Sequence, residues 1–63
     1  MKYYIVPVNS GDLDIDYRDL QEGVQTTADT CHVKLRDGAE VRDSWAEITE
    51  AEFSQAKVDM GLE

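Results

Sequence analysis

Residues Thr30–Trp45 read TCHVKLRDGAEVRDSW, and the way this stretch pairs governs how the rest of the chain can be arranged. Asp37-Gly38 marks a turn between two runs of alternating apolar residues. A two-residue loop sets Val33 opposite Arg42 and Leu35 opposite Glu40, which mixes core with surface. A three-residue loop, Arg36-Asp37-Gly38, sets Leu35 opposite Ala39 and Val33 opposite Val41. It also gives Gly38 the left-handed position of a type I turn followed by a bulge. One face then carries Cys31, Val33, Leu35, Val41 and Trp45, and Asp43 marks a bulge or a strand end. The other face pairs Lys34 with Glu40 and His32 with Arg42. The expectation is a hairpin whose outer face bears Lys34, Arg36 and Arg42. That face reads first as solvated and balanced by Glu40, and second as a cationic strip for self-association or an acidic peptide.

Upstream, KYYIVPV (residues 2–8) is β-branched and aromatic, and the following NSG ends it. Tyr3 and Ile5 lie on one face of this strand; Tyr4, Val6 and Val8 lie on the other. Pro7 has no N–H, so the strand is expected at a sheet edge or ending there. Downstream, ITEAEFSQAKVDMG (residues 48–61) reads as a helix marked at both ends. Thr49 is the N-cap, Glu52 completes a capping box, and Ile48 can pack on Phe53 as a hydrophobic staple. Phe53, Ala56, Lys57 and Met60 share a stripe, and Gly61 stands where a left-handed residue closes the helix. Leu62 and Glu63 are assigned no role.

The 63 residues make one small domain, 1–63, and a chain this short buries only about 60% of its unfolded surface. Its net charge of −8, from 14 acidic and 6 basic residues, repels phosphate backbones and anionic lipid. Direct nucleic-acid or membrane-surface binding is therefore not expected. The charge serves solubility, or it presents a negative surface to a basic partner. A single cysteine, Cys31, allows no internal disulfide and fits a reducing compartment. The opening MKYYIVPVNS has neither the charge nor the apolar length of a signal peptide.

GDLDIDYRDLQEG (residues 11–23) carries three alternating aspartates and invites a calcium reading. Such a loop spans about twelve residues, with glycine at the sixth place and a bidentate glutamate at the last. Counted from Asp12, those places hold Tyr17 and Gly23. Leu13 and Ile15 between the acids also favour burial over a hydrated loop. No metal site is expected; the acids read as solvated beside a small apolar stripe. Leu13, Ile15 and Tyr17 alternate as in a strand, whereas Leu13, Tyr17, Leu20 and Val24 fall at helical spacing. The reading leans to a short helix or helical turn. Residues 24–30, VQTTADT, read as a connection into the second strand.

Catalytic constellations are absent from the spacing. Cys31 and His32 are neighbours, and in a strand neighbours point to opposite faces. Ser10, Ser44 and Ser54 have no histidine partner, and the four glycines form no phosphate loop. No catalytic residue and no cofactor is expected.

The run WAEITEAEF, Trp45 to Phe53, resembles a Trp-x-x-Ile-Thr-x-x-Glu-Phe ending of small phage and prophage proteins, some of them tail-associated. The resemblance spans nine residues and implies an accessory protein of phage origin, placed in the host cytoplasm or the virion. It carries over no functional residue.

The expected fold is α+β: an antiparallel sheet of an N-terminal strand plus a β-hairpin, with a C-terminal α-helix on one face. The expected function is a non-catalytic protein-interaction module. The alternative is an acidic nucleic-acid mimic that occupies a basic site on a host protein. Candidate interaction residues are Tyr3, Ile5, Asp12, Asp14, Asp16, Asp19 and Glu22. One helix covers one face of a sheet, so a weak, salt-promoted homodimer through the first strand is also expected, beside a protein partner.

Overall fold

The first strand alternates its apolar residues between two faces, and each set finds its own cover within the chain. The computed structural model describes all residues 1–63. Five strands and one helix follow in order: β1 (Lys2–Asn9), β2 (Asp12–Leu13), β3 (Leu20–Gln25), β4 (Thr30–Leu35), β5 (Ala46–Glu47) and α1 (Glu50–Asp59), with a 3-10 turn at Tyr17–Asp19. The strands form one antiparallel sheet in the order β2-β1-β4-β3, and β5 also pairs with β1. The α+β architecture, with the C-terminal helix on one face of an antiparallel sheet, is as the sequence implies.

Tyr3 and Ile5 pack against Val24, Ile48, Phe53 and Ala56, which places α1 on their face. Tyr4 packs on the opposite cluster, built from Val6, Val8, Cys31, Val33, Leu35, Ala39 and Trp45. Leu13, Ile15 and Leu20 close that cluster from the acidic segment. Val6, Val33 and Leu35 are fully buried, each worth about 1.5–3 kcal/mol of apolar burial. The second face of the sheet is thus covered by loops of the same chain.

The hairpin differs from expectation. Val33 stands opposite Tyr4 of β1 and Gly23 of β3, not opposite Val41. Residues 39–45 form no strand. The physical reason is that β4 already has a neighbour on each edge, so no ladder positions remain for Ala39–Trp45. The local turn itself survives: Gly38 has φ +84°, and the Ala39 N–H donates to the Arg36 carbonyl at 3.3 Å. Past the turn the chain crosses the sheet face, burying Ala39 and Trp45 and leaving Val41 exposed.

The hairpin that forms is β3–β4, closed by Thr26–Asp29. The Thr26 and Thr27 N–H groups both donate to the Thr30 carbonyl, and the Asp29 N–H donates to Thr27 Oγ1 at 3.2 Å. Hydroxyls make this turn, without an Asn-Gly or Asp-Gly pair. The segment Asp12–Gly23, read as a helical turn, divides into β2, the 3-10 turn and the start of β3. Only Tyr17–Asp19 takes helical form.

β1 is central and runs past Pro7 to Asn9, rather than lying at an edge. The Val8 N–H donates toward β4, to the Asp29 carbonyl, and the Pro7 carbonyl accepts from the Asp14 N–H on the other side. Alternation therefore turns the missing Pro7 N–H away from the β4 ladder. It falls between the short β5 and β2, where no ladder bond is lost.

The helix ends match the sequence reading. Thr49 Oγ1 accepts from the Glu52 N–H, and Glu52 Oε1 accepts from the Thr49 N–H, each at 3.1 Å. At the other end Gly61 has φ +76°. The Leu62 N–H donates to Lys57 and the Gly61 N–H to Val58, a full Schellman closure. Leu62 and Glu63, assigned no role from sequence, both take part here: Glu63 also pairs with Lys57 at 2.8 Å. Met60, placed on the apolar stripe, is exposed.

Candidate functional site

Three aspartates of the acidic segment meet the protein's three arginines. Arg42 pairs with Asp14, Arg18 with Asp16 at 2.8 Å, and Arg36 with Asp19 at 2.6 Å. The cationic strip expected on one strand face does not exist: Arg36 and Arg42 lie beyond β4 and turn to these acids. Asp16 caps the 3-10 turn by accepting the Arg18 N–H at 3.0 Å and also grips the Arg18 guanidinium. These bonds hold the Asp16 carboxyl down at about 2 and raise Arg18 further. Asp19 is buried, and it accepts from Arg36 Nε. Its backbone carbonyl accepts the Arg36 N–H at 3.0 Å, which ties the start of β3 to the end of β4.

Asp16 and Asp19 line one cleft of about 330 Å³ with Arg18, Arg36, Arg42 and Trp45; Asp14 reaches it through Arg42. The Trp45 indole N–H is buried without a hydrogen-bond partner. The aspartates of this cleft are held in ion pairs, while Glu40, also on its lining, has no basic partner. No three Asp, Glu, His or Cys side chains converge where an ion could sit.

A second cleft of about 450 Å³ lies between the sheet and α1. Thr26 and His32 form the sheet wall, and Thr26 Oγ1 lies 3.3 Å from His32 Nδ1. Glu52, Gln55 and Asp59 form the helix wall, over Ala56 and Met60. Glu52 and Asp59 have no basic partner; Glu52 serves the cap and Asp59 accepts from Gln55 Nε2 at 2.8 Å. Nothing local in the sequence signals this cleft, because Thr26 and Asp59 meet only after the helix folds onto the sheet.

The remaining candidate residues scatter. Asp12 is exposed in β2. Glu22 lies on the helix side and pairs with Lys57 at 2.9 Å. Glu22 and Glu63 together push the Lys57 ammonium up to about 12. Lys57 also lies 5.9 Å from the Phe53 ring centre, within cation–π range. Tyr3 and Ile5 are half-buried beneath α1, with the Tyr3 and Phe53 rings 5.4 Å apart. Their face is occupied by the protein's own helix. Cys31 sits in the cluster opposite α1, where burial raises its thiol, while His32 faces the helix-side cleft.

The fold and clefts define a small α+β domain with one ion-paired polar cleft and one acidic cleft. No protein-family model, curated protein or solved structure shows significant similarity to the chain. No helix is long and apolar enough to cross a membrane.

Proposed function

We propose that this protein is a non-catalytic protein-interaction module that offers its helix side to a basic partner. One observation carries the reading: the charge is distributed unevenly. Asp14, Asp16, Asp19, Glu22, Asp37 and Glu63 are in ion pairs. The other acids, Glu52 and Asp59 among them, face solvent without a basic partner. The helix-side cleft combines those two carboxylates with an apolar floor of Ala56 and Met60. That chemistry suits a lysine or arginine side chain, whose alkyl stem lies on the floor and whose charge meets the rim. The resemblance of Trp45–Phe53 to phage accessory proteins supports a role as a virion or accessory component. The nucleic-acid mimic is less well supported, because the arginines neutralise Asp14, Asp16 and Asp19, the middle of the acidic row it would use.

The test is capture of partners from host lysate at low and high salt, with the E52Q/D59N double variant as comparison. Gln at position 52 still completes the capping box, so the fold is retained while both rim charges go. A partner rich in lysine or arginine, retained by the native protein and lost by the variant, is the expected result. Equal retention by both proteins would overturn the reading.

A further inference from the structure

The sheet has one edge long enough to accept another strand. On the β1 side, β2 and β5 are two residues each and occupy the outer edge of β1. On the other side β3 has six residues and only β4 as a neighbour. The direction of its free groups follows from alternation. The Thr26 N–H points to β4, where it meets the Thr30 carbonyl. Val24, two residues back, points the same way, opposite His32. Gly23 and Gln25 therefore turn their N–H and C=O groups outward.

We propose that β3 pairs antiparallel with β3 of a second copy of this chain, centred on Val24. Gly23 of one copy then exchanges both backbone hydrogen bonds with Gln25 of the other, and the two-fold axis repeats the exchange. Val24 stands opposite Val24 at the axis, each side chain already buried under its own helix. Glu22 stands opposite Thr26. A second copy can approach along this edge because β3 brings no unpaired charge to the contact. Glu22 is the one charged residue in β3, and Lys57 holds it within its own chain at 2.9 Å. The net charge of −8 opposes self-association, and β3 adds no unpaired acid to that repulsion. The strand also lacks the lysine or proline that commonly guards an exposed edge; its one guard is the irregularity between Leu20 and Glu22. The pairing is weak and salt-promoted, since screening relaxes the repulsion of the whole molecule. The contact borders the helix-side cleft at Thr26.

Sedimentation and concentration-dependent amide shifts test the contact. The native protein should pass from monomer to dimer with rising concentration, more readily in high salt, with shifts concentrated at Gly23 and Gln25. Q25P removes an outward N–H and no ladder bond, so it should stay monomeric with the fold signals intact. T26K places a lysine opposite Glu22 twice per dimer and should tighten association about two- to thirtyfold. Q21K adds the same charge at β3 without facing Glu22 and should tighten it less. A native protein that remains monomeric in both salts, shifts confined to other residues, or equal gains from T26K and Q21K would overturn the proposal. If an added extended peptide, and not a second copy, shifts Gly23 and Gln25, the edge is a receptor and the self-pairing is wrong. Should Q25P fail to fold, the T26K and Q21K comparison decides alone.

Discussion

Arg36 holds Asp19 twice: its backbone N–H donates to the Asp19 carbonyl at 3.0 Å, and its Nε donates to the Asp19 carboxylate at 2.6 Å. The Asp19 side chain is 10% exposed and that of Arg36 is 50% exposed. The pair thus sits between a buried bridge, costly to break, and a surface bridge worth little. Asp19→Ala removes the acceptor of a charge-assisted bond and should cost about 1.5–3 kcal/mol. Arg18→Ala, which breaks an exposed pair, should cost less than about 0.5 kcal/mol. Urea midpoints of the two variants measure the contrast, and equal losses would show that burial at Asp19 does not matter.

Calcium should not bind tightly at Asp12, Asp14 and Asp16. An ion there would have to displace Arg42 from Asp14 and Arg18 from Asp16, and the loop lacks its glycine and closing glutamate. The thermal midpoint should be the same with chelator and with micromolar calcium. A clear rise with calcium refutes this.

Gly38 tests the turn that survived the change of pairing. Its φ is +84°, and an added Cβ would find only Arg36 Nη1 at 3.6 Å, an ordinary contact. The cost of Gly38→Ala is therefore conformational, about 1–2 kcal/mol, and Gly38→Val should cost more. A neutral Gly38→Val in denaturant unfolding would mean the turn is not left-handed.

Thr49→Ala should lower stability by about 1 kcal/mol, whereas Thr49→Ser should be near neutral. Both reciprocal bonds of the capping box depend on this residue or its N–H. Helical circular dichroism during thermal melting reports the difference.

Stability should fall at both ends of the pH range. The Asp16 carboxyl is held at about 2 by Arg18, and the N-terminal ammonium lowers Asp37. A depressed acid stabilises above its unfolded value and loses that contribution as it protonates, here from about pH 4 down to about 2. Lys57 is raised from 10.5 to about 12 by Glu22 and Glu63. A raised base stabilises fully below its unfolded value and loses the contribution as pH climbs from about 10.5 to 12. Removing Lys57 (Lys57→Met) should flatten the alkaline limb and leave the acid limb; an unchanged alkaline limb counts against the assignment.

Local chemistry in the chain determined the helix and both of its ends, because caps, staple and closing glycine act over a few residues. It also determined the two faces of β1, since strand alternation has a period of two, and the left-handed turn at Gly38. Strand pairing was decided only in the tertiary structure. Val41 and Val33 had compatible patterns, but β1 and β3 claimed both edges of β4, and a pattern of period two does not name its partner. The β3–β4 turn was hidden because hydroxyls, not glycine, close it. Asp14 and Asp19 were legible as acids, yet their partners Arg42 and Arg36 lie far along the chain, and only folding brings opposite charges from 17 to 28 residues apart into contact. The acidic cleft has the same origin: Glu52 and Asp59 share a helix face by sequence, but Thr26 and His32 become their opposite wall only when burial of Phe53 and Ala56 presses α1 onto the sheet.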